Sequence, residues 1–106
     1  MSVIYAGTRN VYESMHVALT SLLANNTVDR VYLLIEDDDF PYPVPQNVHV
    51  INVQDQTFFP ITGANYYNPW SYMCLMRLAF SKICPDESAA LWLDVDTIVD
   101  GDISEL

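Results

Sequence analysis

Apolar residues fall into four short runs along this chain, and between them two longer stretches carry apolar positions at helical spacing. Val3-Ile4-Tyr5-Ala6 stops at Gly7-Thr8 and reads as a buried strand that ends in a loop. Met15, Ala18, Leu19, Leu22 and Leu23 then recur with helical period until Asn25-Asn26, and Asn10 with Glu13 has the spacing of a capping box at the helix start. Val31-Tyr32-Leu33-Leu34-Ile35 is too short for a typical helix and too uniform for a half-exposed strand, so it predicts a strand inside a parallel sheet. An acidic triplet and Pro41, Pro43 and Pro45 exclude regular structure over 37–46 and predict a surface connection. Val48, Val50, Ile51 and Val53 make a third strand. After a loop with Phe58, Phe59 and Pro60, Asn68-Pro69 supplies an N-cap with proline at the first helical position, and Pro85 closes a helix expected over 70–84. A fourth apolar strand, over 89–93, runs directly into Asp94-Val95-Asp96.

Strands that alternate with helices predict an α/β layered fold whose ligands sit at the carboxyl ends of the strands. Three polar clusters fall at those ends: residues 7–10, 36–39 and 94–96. The middle one, Glu36 with Asp37, Asp38 and Asp39, reads as a solvated turn. With 106 residues and 51% hydrophobic content, the chain can bury the core of one domain. Its 4 Lys+Arg against 14 Asp+Glu give a net charge of −10, which repels nucleic acid and anionic membrane surfaces. Arg9, Arg30, Arg77 and Lys82 are few and scattered, so an anionic diphosphate would need a metal ion as a bridge. No apolar run approaches the roughly 18 residues that span a bilayer, and no signal-like start is present, so the expectation is a cytoplasmic protein without a transmembrane segment. Cys74 and Cys84 share one predicted helix at a separation of about 15 Å and cannot bridge. Asn25-Asn26-Thr27 matches a glycosylation sequon, which carries no weight without a secretory signal. His16 and His49 belong to no motif.

Asp94 and Asp96 are the strongest candidates for chemistry. Two apart in an extended segment, their carboxylates leave on one face and can approach one cation, and hard oxygen ligands suit Mg²⁺ or Mn²⁺. The competing reading of any such pair is a solvated acidic turn. A calcium loop beginning at Asp94 fails on spacing, because Ile98 and Val99 would occupy the fifth and sixth positions, where a ligand and glycine are required. A phosphatase of the haloacid dehalogenase type matches in part: its aspartate pair also follows an apolar strand, but the threonine that motif carries two places after the second aspartate has no counterpart here.

The segment Leu91-Trp92-Leu93-Asp94-Val95-Asp96-Thr97-Ile98-Val99-Asp100-Gly101-Asp102-Ile103-Ser104-Glu105-Leu106 resembles the strand and D-x-D segment of glycosyltransferase family 8. Val3-Ile4-Tyr5-Ala6-Gly7-Thr8-Arg9-Asn10-Val11-Tyr12 is similar to that family's first strand and nucleotide-binding loop, and Tyr72-Met73-Cys74-Leu75-Met76-Arg77-Leu78 to its arginine-bearing helix. The resemblance implies the GT-A fold: a Rossmann-like, mostly parallel sheet of order 3-2-1-4 flanked by helices. It also implies sugar transfer with retention from a nucleotide-diphosphate donor, expected to be a UDP-sugar.

On that resemblance Asp94 and Asp96 hold Mn²⁺ or Mg²⁺ and the diphosphate, with Val95 between them. Ala6, Gly7, Thr8, Asn10 and Tyr12 line the base and ribose pocket, with Tyr12 a candidate to stack on the base. Asn10 is equally explained by helix capping and Tyr12 by core packing, while Arg77 is either a donor-site residue or a packed stem with a paired head. The family is more than twice this length, so the chain corresponds to its nucleotide-binding half and is expected to perform no transfer alone. The alternatives are a nucleotide-binding or self-associating remnant, or a D-x-D phosphatase-like hydrolase. Self-association, as a homodimer, is expected through an uncovered edge of the fourth strand.

Overall fold

In the computed structural model, which describes residues 1–54 and 80–104, the sheet forms around its two most apolar runs. Strands β1 (Ser2–Ala6) and β2 (Arg30–Ile35) are buried along nearly their whole length, as expected of strands covered on both faces. β3 (Val48–Asn52) lies on one side of β2 and the two-residue β4 (Leu91–Trp92) on the other side of β1, giving four parallel strands in the order 3-2-1-4. That is the order the family resemblance implied. The fourth strand is shorter than the 89–93 run suggested. It pairs through Val3 with Leu91 and Ile4 with Trp92, and one further bond, from the Leu93 amide to the Ile4 carbonyl (3.0 Å), ends it.

Helix α1 (Tyr12–Asn25) covers one face. Its buried stripe of Tyr12, Met15, Ala18, Leu19 and Leu22 packs with Val3, Tyr5, Val31, Leu33 and Ile35. Burying one such aliphatic side chain contributes roughly 1.5–3 kcal/mol. The opposite face buries Ile4, Tyr32 and Leu34 against Val53 and Cys84, the latter just after the short helix α2 (Phe80–Ile83). The helix expected over 70–84 is therefore seen only at its last turn; the rest, with Arg77, Cys74, Asn68, Pro69 and the Phe58-Phe59-Pro60 loop, lies outside the described residues.

The capping box does not form. A 3-10 turn (Arg9–Val11) precedes α1, and neither Thr8 nor Val11, which stand at the two N-cap positions, makes a side-chain cap. Asn10 instead accepts a hydrogen bond from the Thr8 hydroxyl. The proline-rich connection is irregular, as its composition predicts, but it alternates: Pro41, Pro43 and Pro45 face water, while Phe40, Tyr42 and Val44 pack on the α1 side of the core. The His16 ring stacks on Tyr42 at 4.5 Å there.

At the other end of α1, Ser21, Asn25 and Asn26 hold the main chain that follows the D-x-D segment. The Ser21 hydroxyl accepts from the Val99 amide (2.8 Å), Asn25 donates to the Val99 carbonyl (2.8 Å), and Asn26 bonds both the Gly101 carbonyl (2.9 Å) and the Ile103 amide (2.8 Å). The sequon asparagine thus has a structural task. Among the described residues no helix is long and apolar enough to cross a membrane.

Candidate functional site

Because all four strands run parallel, their carboxyl ends and the loops that leave them share one edge of the sheet. Ala6 ends β1 there, and the Gly7 amide donates to the Leu34 carbonyl (3.1 Å), carrying the β1–β2 ladder one step into the loop. Gly7 is buried where no side chain fits: a Cβ would lie 2.5 Å from Val11 Cγ2, 3.1 Å from Met15 Cε and 3.6 Å from Val95 Cγ1. The last of these contacts bears on the candidate site. It brings the middle residue of the D-x-D segment against the loop that carries Thr8 and Asn10, so residues 6–10 and 94–96 meet at one place.

The D-x-D segment is a turn, not an extended continuation of β4. The Asp94 carbonyl accepts from both the Thr97 amide (3.3 Å) and the Thr97 hydroxyl (2.7 Å), with Val95 and Asp96 at the turn's centre. The expectation that two extended residues present their carboxylates on one face is thereby corrected. Leaving the strand at Leu93 lets the chain fold back toward α1, where residues 99–103 are fastened. Asp94 and Asp96 are both exposed, while Val95 is half-buried. Asp96 and Val95 also border an open groove of about 320 Å³ shared with Glu13 and Val17 of α1 and with Ile98.

The residues fit a Mg²⁺ or Mn²⁺ ion of the kind that takes one or two protein carboxylates and completes its shell with phosphate and water. Among the described residues no group of three or more His, Cys, Asp or Glu side chains gathers into a protein-only cage.

Two corrections concern the first loop and its neighbour. Tyr12 is only 6% exposed, its ring lies tilted on Phe40 at 5.6 Å, and its hydroxyl donates to Asp37 Oδ2 (3.0 Å) while accepting from the Glu36 amide (2.8 Å). It presents no open ring face for a base to stack on. Burial is the main cause that pushes its hydroxyl up to about 12.

Within residues 36–39, read from sequence as a solvated turn, Glu36 and Asp37 are tied into this loop, while Asp38 and Asp39 are exposed. The Arg9 guanidinium reaches Asp37 through Nε (3.3 Å) and Nη2 (3.1 Å), and the Arg9 amide donates to Glu36 Oε2 (2.9 Å). The Arg9 hydrogen bonds, followed by that from Tyr12, hold the Asp37 carboxyl below the usual carboxylate range. Asn52, at the end of β3, donates to Asp38 (3.0 Å). The only sequence signal for this network was the position of an acidic cluster at a strand's carboxyl end. Its partners share no motif with it. Arg77, the remaining candidate from sequence, lies outside the described residues.

No family model matches the sequence, and no curated protein matches it. Among solved structures the chain is similar to an active-site mutant of LgtC, a glycosyltransferase, with 19% sequence identity and a TM-score of 0.67 over 99% of this chain and 41% of LgtC. The chain thus spans about two fifths of the length of that protein. What the likeness establishes is the fold, a glycosyltransferase-like α/β arrangement built on a parallel sheet of order 3-2-1-4.

Proposed function

We propose that this chain is the donor-binding part of a retaining glycosyltransferase of the family 8 type, taking a nucleotide-diphosphate sugar, a UDP-sugar, together with Mn²⁺ or Mg²⁺. The observation that carries the reading is the packing of Val95 against Gly7, which sets the D-x-D turn beside the first loop at the carboxyl edge of a glycosyltransferase-like sheet. In this reading Asp94 and Asp96 hold the cation, and Ala6, Gly7, Thr8 and Asn10 form the nucleotide side. A cation bound there supplies Lewis acidity that offsets the charge gathering on the departing nucleoside diphosphate.

The chain's own residues bind and orient. Thr8 and Asn10 offer polar groups on this loop, and Gly7 lets it pack against Val11, Met15 and Val95 where a side chain would not fit. Charge supports the metal requirement: with 14 acidic and 4 basic side chains, and Arg9 already paired to Asp37, little else among the described residues of this edge can offset a diphosphate. These residues would hold donor and cation. Transfer therefore needs groups beyond these, since catalysis of this kind depends on holding donor and acceptor together.

Calorimetric titration of UDP in Mn²⁺ and again in EDTA tests the reading. Affinity should appear with Mn²⁺ and fall at least tenfold, a change of about 1.4 kcal/mol, in EDTA. Asp94→Asn with Asp96→Asn should abolish the metal-dependent part while the protein stays folded, because both carboxylates are exposed. Equal affinity with and without metal would refute the D-x-D assignment.

A further inference from the structure

We propose that Asp37 is a positioning residue for the nucleotide loop, acting through Arg9 and Tyr12 to fix the backbone that carries Thr8 and Asn10. The inference rests on the proposed function, and it concerns a residue at the end of β2 rather than in the loop itself.

The loop has few of the local devices that usually order such a segment, chiefly the Thr8–Asn10 hydrogen bond. Neither N-cap position makes a side-chain cap, and the Val11 amide to Thr8 carbonyl bond (3.0 Å) closes only a single 3-10 turn. Four hydrogen bonds from the end of β2 replace them. Asp37 Oδ1 accepts from Arg9 Nη2 (3.1 Å), Asp37 Oδ2 accepts from both Arg9 Nε (3.3 Å) and the Tyr12 hydroxyl (3.0 Å), and Glu36 Oε2 accepts from the Arg9 amide (2.9 Å). The Tyr12 hydroxyl closes the ring by accepting from the Glu36 amide (2.8 Å). Residues 9 and 12 flank Asn10 and Val11, so both ends of the turn are fastened to one strand terminus.

Asp37 needs to be a carboxylate for this. Both of its oxygens accept, and three donors converge on them, a pattern a planar, bidentate guanidinium–carboxylate pair supports and an amide cannot, since its NH₂ would face other donors. A loop held in its bound conformation before the ligand arrives spends less ordering entropy on binding. The pairing also leaves Arg9 compensated rather than free to bind an anion, which keeps the loop's contribution one of shape.

The test uses the whole chain and compares Asp37→Asn with Glu87→Gln, a change in a similar carboxylate at the opposite edge of the sheet. UDP affinity in Mn²⁺ is measured by calorimetry, Mn²⁺ alone by the spin resonance of the free ion, and Tm by circular dichroism. Asp37→Asn should weaken UDP binding about tenfold or more while leaving binding of Mn²⁺ alone unchanged. Glu87→Gln should lower Tm without changing UDP affinity. Arg9→Lys, which cannot form the two-pronged pair, should weaken UDP as Asp37→Asn does, and the two changes together should cost no more than one, as expected of a shared interaction. Unchanged UDP affinity in Asp37→Asn overturns the proposal, as does a loss that Glu87→Gln reproduces at equal Tm.

If the unaltered protein binds no UDP in Mn²⁺, the functional reading fails instead. The positioning claim is then decided by amide exchange: Asp37→Asn should strip protection from the Arg9 and Glu36 amides alone, and retained protection there would end it.

Discussion

An acidic residue tied to an arginine and a tyrosine stands at each end of this sheet, and the two clusters differ in what they hold. At the carboxyl edge Asp37 joins Arg9 and Tyr12, residues 28 and 25 positions away, on adjacent strand ends. At the amino edge Glu87 accepts from Ser2 (3.0 Å), Arg30 (3.3 Å) and Tyr32 (2.8 Å), spanning 85, 57 and 55 positions. The Glu87 side chain is 13% exposed and that of Asp37 42%. The first cluster shapes a loop beside the D-x-D turn; the second closes the chain, pinning the segment before β4 to the starts of β1 and β2. Similar chemistry therefore ties a loop where water reaches it and fastens the sheet where it does not. Both carboxyls are held below their usual range, Glu87 chiefly by the Tyr32 hydrogen bond and Asp37 chiefly by Arg9.

The largest effect expected from breaking this comparison is on the architectural side. Glu87→Ala leaves the Ser2, Arg30 and Tyr32 donors without their shared acceptor and should lower Tm on the order of 10 °C in a thermal melt. A Tm within a degree or two of the parent would mean that the 84–90 segment is held by apolar contacts alone.

Gly7→Ala comes next. The added methyl meets Val11 Cγ2 at 2.5 Å and Met15 Cε at 3.1 Å, an overpacking that costs about 1–3 kcal/mol in urea unfolding. Since Val95 is also adjacent, the same change should weaken UDP binding in Mn²⁺, an outcome that a purely architectural glycine would not give.

Alkaline pH separates the tyrosines. Burial pushes both Tyr5 and Tyr12 up to about 12 from 10.0, so folding favours their neutral forms. The stability this provides is complete below pH 10 and is lost as pH rises through about 12. Tyrosinate absorbance should show late ionisations from Tyr5 and Tyr12 that coincide with loss of structure. Tyr12→Phe should remove one of them and cost about 1 kcal/mol by leaving the Glu36 amide without its acceptor. The carboxylates give the opposite sign: the stability contributed by Asp37 and Glu87 is present above their unfolded values and lost as pH falls through the lowered folded ones.

Self-association is the smallest expected effect. We infer that the edge of β4 can pair with a second copy, but a two-residue strand offers little to pair with. Sedimentation should therefore show a weak dimer that tightens with salt, as screening reduces repulsion between chains of charge −10. A monomer at every salt and protein concentration removes that edge as an interface.

The sequence by itself determined the sheet. Uninterrupted apolar runs at Val3-Ile4-Tyr5-Ala6 and Val31-Tyr32-Leu33-Leu34-Ile35 can be satisfied only by burial on both faces, and the helical period from Met15 to Leu23 required a packed helix between them. The D-x-D segment was equally legible, because the run that precedes it must end near the same sheet edge as Ala6.

The tertiary structure decided the rest. Asn10 and Glu13 had the spacing of a cap, yet the loop takes its shape from Asp37 and Glu36, which no local pattern connects to Arg9. Asp94 and Asp96 sit in a turn because Ser21, Asn25 and Asn26 draw the following chain back onto α1 from 74 to 78 positions away. Periodicity records which side of an element meets the core, a property of neighbouring residues. Hydrogen bonds between distant side chains depend on the register of β1 with β2 and on how α1 crosses the sheet, and these exist only once the strands have paired.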